Sequence, residues 1–222
     1  MRYINSSSLK LLLIVLLFLP LTASSQDAKS YGFKLGLAVA NQDWNYSNRP
    51  DFERKTRTGL DIGGFIEFFN VPYFSLMVEL HYIQKGFKTK VQSIVATDEP
   101  VEDSIGMEIS PRMDYVSLPI LAKVRYETDF LSPYAALGPR FEYMLDYNDD
   151  GSFYQKFSTF AFGFTSAMGV DIMTLEPING FFEVRYSPDL IGVFSSSTLT
   201  VKNRTVEVLA GVRVLAPKKE KK

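Results

Sequence analysis

The sequence predicts an all-β fold, an eight-stranded antiparallel up-and-down transmembrane β-barrel preceded by a cleavable signal peptide. Three observations predict it. Apolar and polar residues alternate with period two in segment after segment from Tyr31 to Leu215, as in strands that present their two faces to two different environments. The links between these segments alternate long and short, which fits a barrel with tight turns at one end and larger loops at the other. Charged residues keep largely to one parity, with both signs equally represented. That arrangement suits a polar interior inside an oily exterior, the inverse of a soluble sandwich.

The 222 residues are enough for one sizeable domain. Aromatic residues reach 14%, mostly Phe and Tyr, which favours strands and membrane interfaces over helical bundles. A formal net charge of −1 argues against nucleic acid as a partner. With no cysteine there is no disulfide framework, no thiol chemistry, no Cys-ligated metal and no lipoprotein anchor. Residues 1–25 read as the export signal. Arg2 and Lys10 supply positive charge, Leu11 to Leu19 is apolar throughout, and Ala23-Ser24-Ser25 offers small residues for cleavage before Gln26. Pro20 stops the run short of the roughly 20 apolar residues a spanning helix needs. The barrel domain is expected over 26–215, with a lysine-rich tail at 216–222.

The expected strands are 31–41, 58–69, 73–87, 113–127, 133–146, 158–171, 180–187 and 205–215. Links 42–57, 88–112, 147–157 and 188–204 are long, whereas Asn70-Val71-Pro72 and 128–132 are short and 172–179 is intermediate. In the second strand Leu60, Ile62, Ile66 and Phe68 face outward against Asp61, Gly63, Phe65 and Glu67. The third sets Phe74, Leu76, Val78, Leu80 and Tyr82 against Ser75, Met77, Glu79, His81 and Lys85, with Ile83 the apolar exception. The fourth sets Val116, Leu118, Ile120 and Val124 against Tyr115, Ser117, Leu121, Lys123 and Arg125. In the fifth, Leu137, Phe141 and Tyr143 oppose Gly138, Arg140 and Glu142. The sixth turns its Phe residues out and Ala161, Gly163, Thr165, Ala167 and Gly169 in. The last pairs Val206, Val208, Val212 and Val214 with Glu207, Leu209, Gly211 and Arg213.

The expected lumen network contains Asp61, Glu67, Glu79, Glu142, Asp171, Glu183 and Glu207 as acids. Its bases are Lys34, Lys85, Lys123, Arg125, Arg140, Arg185 and Arg213, with His81 beside them. An eight-stranded barrel has an interior only wide enough for side chains to fill, and charges enclosed there must be paired. Equal numbers predict a plugged, salt-bridged interior instead of a diffusion pore, and Gly36, Gly63, Gly138, Gly163, Gly169 and Gly211 leave room for long side chains. Tyr73, Tyr82, Tyr115, Tyr126, Tyr134, Phe141, Tyr143, Phe182 and Tyr186 are expected as an aromatic girdle at the interfaces.

The run Asp114-Tyr115-Val116-Ser117-Leu118-Pro119-Ile120-Leu121-Ala122-Lys123-Val124-Arg125-Tyr126 resembles the Y-(L/V)-x-(L/I)-P-(L/I)-L-x-K strand of the PorT-like outer-membrane barrel family. Pro133-Tyr134-Ala135-Ala136-Leu137-Gly138-Pro139-Arg140 resembles that family's P-Y-x-x-x-G-P strand. Phe162-Gly163-Phe164, Ala167-Met168-Gly169-Val170-Asp171 and Glu183-Val184-Arg185-Tyr186-Ser187 match its later strands. The resemblance implies an eight-stranded barrel in the outer membrane of a Gram-negative bacterium. The family's namesake takes part in protein secretion, a role that belongs to a subset. The lysine-rich tail departs from the aromatic residue that commonly ends such barrels, and it reads as a solvated periplasmic segment.

Candidate chemistry is sparse. His81 with Glu79 and Ser75 or Ser117 has the residue types of an acyl-transfer site, but the parity places it in the lumen, away from lipid. Asp98-Glu99 with Glu102-Asp103, and Asp146 with Asn148-Asp149-Asp150, lack the spacing of a calcium loop. No cofactor, metal or catalytic residue is expected. Trp44, Tyr46, Phe52, Ile94, Val95, Ile105 and Met107 are apolar groups in expected outer loops, which either pack on one another or form a contact surface. The function expected is a non-enzymatic outer-membrane barrel acting in envelope structure or protein interaction. The alternatives are a barrel enzyme acting on envelope lipids and a secreted lipocalin-like binder, the latter needing a greasy lumen. The partners expected are outer-membrane lipid, the barrel assembly machinery during insertion, and envelope or secretion-system proteins.

Overall fold

The computed structural model describes residues 28–46, 55–71, 73–91, 107–148, 158–175, 177–191, 194–195 and 199–216. The alternating segments form β1 (Ala28–Tyr46), β2 (Lys55–Val71), β3 (Phe74–Val91), β5 (Arg112–Arg125), β6 (Leu131–Asn148), β7 (Phe160–Leu175), β8 (Ile178–Pro188) and β10 (Leu199–Leu215). Each pairs antiparallel with its sequence neighbour along this series. β10 returns to pair with β1 from Ser30↔Leu215 to Tyr46↔Leu199, which closes the ring. Closure removes both sheet edges, so no ladder ends in lipid with unpaired backbone groups. Two short strands extend this ring at one end, β4 (Met107–Ile109) on β3 and β9 (Phe194–Ser195) on β10.

The connections sort by end. Val71↔Phe74 and Leu175↔Ile178 close tight turns, and residues 126–130 link β5 to β6. These three turns lie at the same end as Ala28 and Leu215. Residues 172–179, expected as an intermediate link, are mostly ladder, because Ile172 still pairs with Gly180. By the rule for such barrels the short-turn end faces the periplasm.

Outward residues are apolar over a limited height. On the β1–β10 wall the belt runs from the Tyr31↔Val214 pair to the Val39↔Val206 pair. Eight steps of about 3.3 Å, tilted by about 40°, give a belt roughly 20 Å tall, close to the lipid-facing band of known barrels. Just above it on the outer face, Arg204 Nη2 pairs with Asp43 Oδ1 at 2.7 Å. Leu35 and Val212 on this wall, and Leu137 and Met168 across the ring on β6 and β7, are each more than half exposed.

The strands are longer than expected. β1 has 19 residues, β3 and β6 have 18, and β2 and β10 have 17. Most of the extra length is at the long-loop end, where the ladder continues above the lipid and neither face needs to be apolar. Bulges at Thr56/Asp61 and Asp114/Tyr115 also break the alternation there. The expected leader and tail lie outside the described residues, except Ala216.

Leu137→Arg, near the middle of the belt, is expected to destabilise the inserted barrel by about 2–4 kcal/mol. Reversible urea unfolding from lipid vesicles measures this. A neutral result would mean that this face does not touch hydrocarbon.

Candidate functional site

All fifteen residues of the expected network are buried inside the ring. Alternation brings this about: each strand lends every second side chain to the lumen, and the register stacks them in groups.

Nearest the short-turn end, two carboxylates are shared among three cations. Lys123 Nζ donates to Glu67 at 2.7 Å, Arg125 Nη2 at 2.9 Å and Ser30 Oγ at 3.0 Å. Asp171 lies 2.8 Å from Arg213 Nη1 and 3.0 Å from Arg125 Nε. Lys123 Nζ also stands 3.8 Å from the centre of the Tyr134 ring, a cation–π contact that supplies a further partner for the ammonium. Above this group Phe65, Met77, Leu121, Ala136, Ala167 and Phe181 form an apolar layer. The Phe65 and Phe181 rings meet edge to face at 5.6 Å, with Lys34 Nζ over both.

The middle group is the densest. Lys34 Nζ bridges Glu79 at 2.8 Å and Glu183 at 3.1 Å. The Arg185 guanidinium spans the same two carboxylates, at 2.7 Å and 2.5 Å, and Tyr134 Oη donates to Glu183 at 2.7 Å. His81 lies between two acids, with Nδ1 2.6 Å from Asp61 and Nε2 3.1 Å from Glu79. A Cβ on Gly63 would stand 2.6 Å from the His81 ring, so the glycine provides the ring's space. Toward the long loops, Lys85 Nζ donates to both oxygens of Glu142 at 2.7 Å. Arg140 joins Glu142 at 3.1 Å to Asp189 at 2.6 Å. A Cβ on Gly163 would stand 2.8 Å from Arg140 Nη2. An apolar layer that includes Trp44, Ile83, Phe87, Met113, Tyr115 and Val201 covers this group.

A cavity of about 10 Å³ remains between the middle and upper groups, lined in part by Asp61, His81, Ser117, Arg140, Arg185 and Glu207. It has room for about one water. His81 is therefore enclosed by carboxylates, guanidinium groups and the barrel wall. A Ser–His–acid group acting on envelope lipid would need access to acyl chains, and this ring has none.

Some residues stand elsewhere than expected. Trp44, assigned to an outer loop, lies inside the barrel on β1 at 4% exposure, its indole donating to Gln42 Oε1 at 3.0 Å. Tyr115 and Tyr134, assigned to the girdle, point inward, at 0% and 6% exposure. They lie on the same parity as Lys123 and Arg140 in their strands, and their rings fill lumen space beside cations. Tyr73, Tyr126, Tyr143, Phe182 and Tyr186 are exposed on the wall. Tyr46 and Met107 fall in β1 and β4, while Phe52, Ile94, Val95 and Ile105 lie outside the described residues. Asp189 is the network member that sequence reasoning missed. It sits just past β8, bridged to Gly163, in a stretch read as loop. Its signal was weak, a single acid after Pro188 with no alternation around it.

These features are those of a small outer-membrane barrel, and the model of the outer membrane protein beta-barrel domain matches residues 24–195. The chain belongs to that family. Its location is the outer membrane. OprG from Pseudomonas aeruginosa is a similar solved structure at 12% identity, with a TM-score of 0.55 over 86% of this chain and 98% of that one. Neisserial surface protein A is 14% identical, with a TM-score of 0.46 over 83% of this chain and 97% of that one. At these identities the likeness is one of fold. No curated protein matches the sequence.

Glu67→Gln leaves Lys123 and Arg125 with Asp171 as their remaining buried acid, Glu127 lying 4.0 Å from Arg125 Nη1 and half exposed, and is expected to cost about 3–5 kcal/mol. Glu127→Gln removes a half-exposed carboxylate at the barrel end and is expected to cost less than about 1 kcal/mol. Trp44 is the single tryptophan, so its fluorescence follows urea unfolding of both variants. Equal effects would contradict the pairing described for Glu67.

Proposed function

We propose that this chain is an exported, non-enzymatic outer-membrane barrel that acts through its surface, in envelope structure or in interaction with other envelope proteins. The observation that carries the reading is the filled lumen. Carboxylates and cations cross-brace opposite walls at two to three ångströms from one end of the ring to the other, so the interior serves rigidity instead of transport. A lipocalin-like role has no support in a lumen lined by ion pairs. An enzymatic role would have to use His81, which faces acids and not lipid.

The finer reading follows the resemblance to the PorT-like barrels. Residues 1–25 act as a cleaved export signal, the barrel assembly machinery inserts the strands, and a protein-secretion apparatus is the partner class to examine first. The lysine-rich segment 216–222 is a solvated periplasmic tail. The fifteen lumen residues and Asp189 act structurally, holding the ring rigid beneath the long loops, where Phe52 and Ile105 belong to the partner-facing surface.

Planar-bilayer recording is expected to find no large steady conductance for the wild type, nor for a Lys85→Ala/Arg140→Ala variant, in which the middle and lower groups still fill the ring. A large open pore in the wild type would overturn the plugged lumen. His81→Ala is expected to leave every envelope-lipid species unchanged by mass spectrometry. Cross-linking in intact outer membranes followed by purification is expected to recover a discrete envelope protein. Recovery of lipid alone would remove the interaction role.

A further inference from the structure

Outside the lumen, one recess on the outward side of the long-loop rim has a distinct chemistry. Its volume is about 200 Å³, and Arg57, Ser110, Arg112 and Asn148 line it. Arg112 pairs with Asn148 across β5 and β6, one residue from the inward Met113↔Tyr147 pair, so these two side chains take the outer face. Arg57 reaches them from β2 by crossing Gly86. A Cβ there would stand 2.9 Å from Arg57 Cδ and would collide with the Pro111 carbonyl oxygen. Gly86 has φ +147°, a backbone conformation that L side chains rarely adopt. Glycine is thus required on two counts, and what it admits is the aliphatic stem of Arg57.

Two acids stand beside the recess on the β5–β6 ladder, Asp114 and the Asp146 opposite it. Arg57 stands near enough to Arg112 to be repelled by it and to Asp114 to be attracted, and Asp114 is already 3.2 Å from Arg112 Nε. Arg57 Nη1 is buried and finds no hydrogen-bond acceptor among the described residues. Lys55 and Lys88 face one another across the adjacent ladder, adding two further cations to the same rim. Four cations against these two carboxylates leave this part of the rim net positive, with one guanidinium nitrogen unpaired. Such a set suits an oxyanion bound through charge-assisted, bidentate hydrogen bonds.

Height narrows the choice of anion. Tyr82, on the same wall, bonds Gln84 at 3.1 Å at the top of the lipid-facing belt. Gly86 is four residues beyond Tyr82, about 13 Å along the strand and roughly 10 Å in height at the usual tilt. The recess therefore stands at the level of the polar headgroups in the outer leaflet, just above the aromatic girdle.

From this geometry we infer that the recess is a phosphate-oxyanion site, with Arg57 and Arg112 as its anchoring cations and Ser110 and Asn148 completing the donor set. The phosphate is carried either on a glycolipid headgroup or free in solution. The site stands apart from the lumen network and does not depend on whether the lumen is plugged.

The test uses the full barrel in detergent micelles, with native mass spectrometry for bisphosphorylated lipid A and calorimetry for inorganic phosphate. Arg57→Gln/Arg112→Gln is expected to weaken binding at least tenfold. Arg204→Gln, which removes a cation elsewhere on the rim, is expected to stay within twofold of the wild type. Heat-modifiable gel migration verifies that each variant is folded, and Arg57→Lys, which keeps the charge, is expected to retain part of the affinity. Binding of lipid A but not of its dephosphorylated form, without competition from inorganic phosphate, assigns a headgroup. Competition by inorganic phosphate with the same variant dependence assigns the free anion. Equal binding of both probes by wild type and double variant overturns the site.

Discussion

Everything in this barrel follows from the need to neutralise charge in a ring too narrow to hold bulk water. Eight strands leave an interior that side chains must fill, and a carboxylate or ammonium enclosed there without a partner costs several kcal/mol. The chain meets this need by sharing. Glu67 and Asp171 divide three cations, and Glu79 and Glu183 share Lys34 and Arg185. Arg140 links Glu142 to Asp189. Arg140–Glu142 and Arg185–Glu183 join neighbours on one strand, while the pairs that link different strands, such as Lys34–Glu79, Lys123–Glu67 and Arg185–Glu79, also brace the walls.

Space is arranged to allow this. Long bases need room that an all-large interior would deny them, and glycines at Gly63 and Gly163 stand where a Cβ would strike His81 or Arg140. Aromatic rings then close the gaps. Phe65 and Phe181 sit beneath Lys34, Tyr115 beside Lys85 and Tyr134 beside Lys123. Each ring turns its electron-rich face toward an ammonium that has left water, so packing and electrostatics are met by one side chain.

The facing of the strands was legible from particular residues. Leu118 against Lys123 and Val208 against Glu207 are separated by parity alone, and lipid on one side imposes that parity strictly. The burial of the network's fourteen expected acids and bases, with His81, follows from the same parity. Strand ends were not, since above the membrane β1 carries Asn41, Gln42 and Asp43, and alternation no longer reports which face is which. Trp44 was misplaced for that reason. Tyr115 and Tyr134 were misassigned because tyrosine suits both an interface and a cation-lined interior. Asp189 escaped because its position depends on a bridge to Gly163, a contact distant in sequence.

By itself, then, the sequence determined the fold class, the number of barrel strands and which side chains meet lipid, because those depend on a local period of two read against a uniform solvent. Only the tertiary structure decided which acid holds which base, how far the ladders rise above the membrane, and that Arg57 and Arg112 converge across Gly86. Those outcomes depend on register and on bulges between strands far apart in the chain, and no local pattern of residues encodes the distance between two side chains across a closed ring.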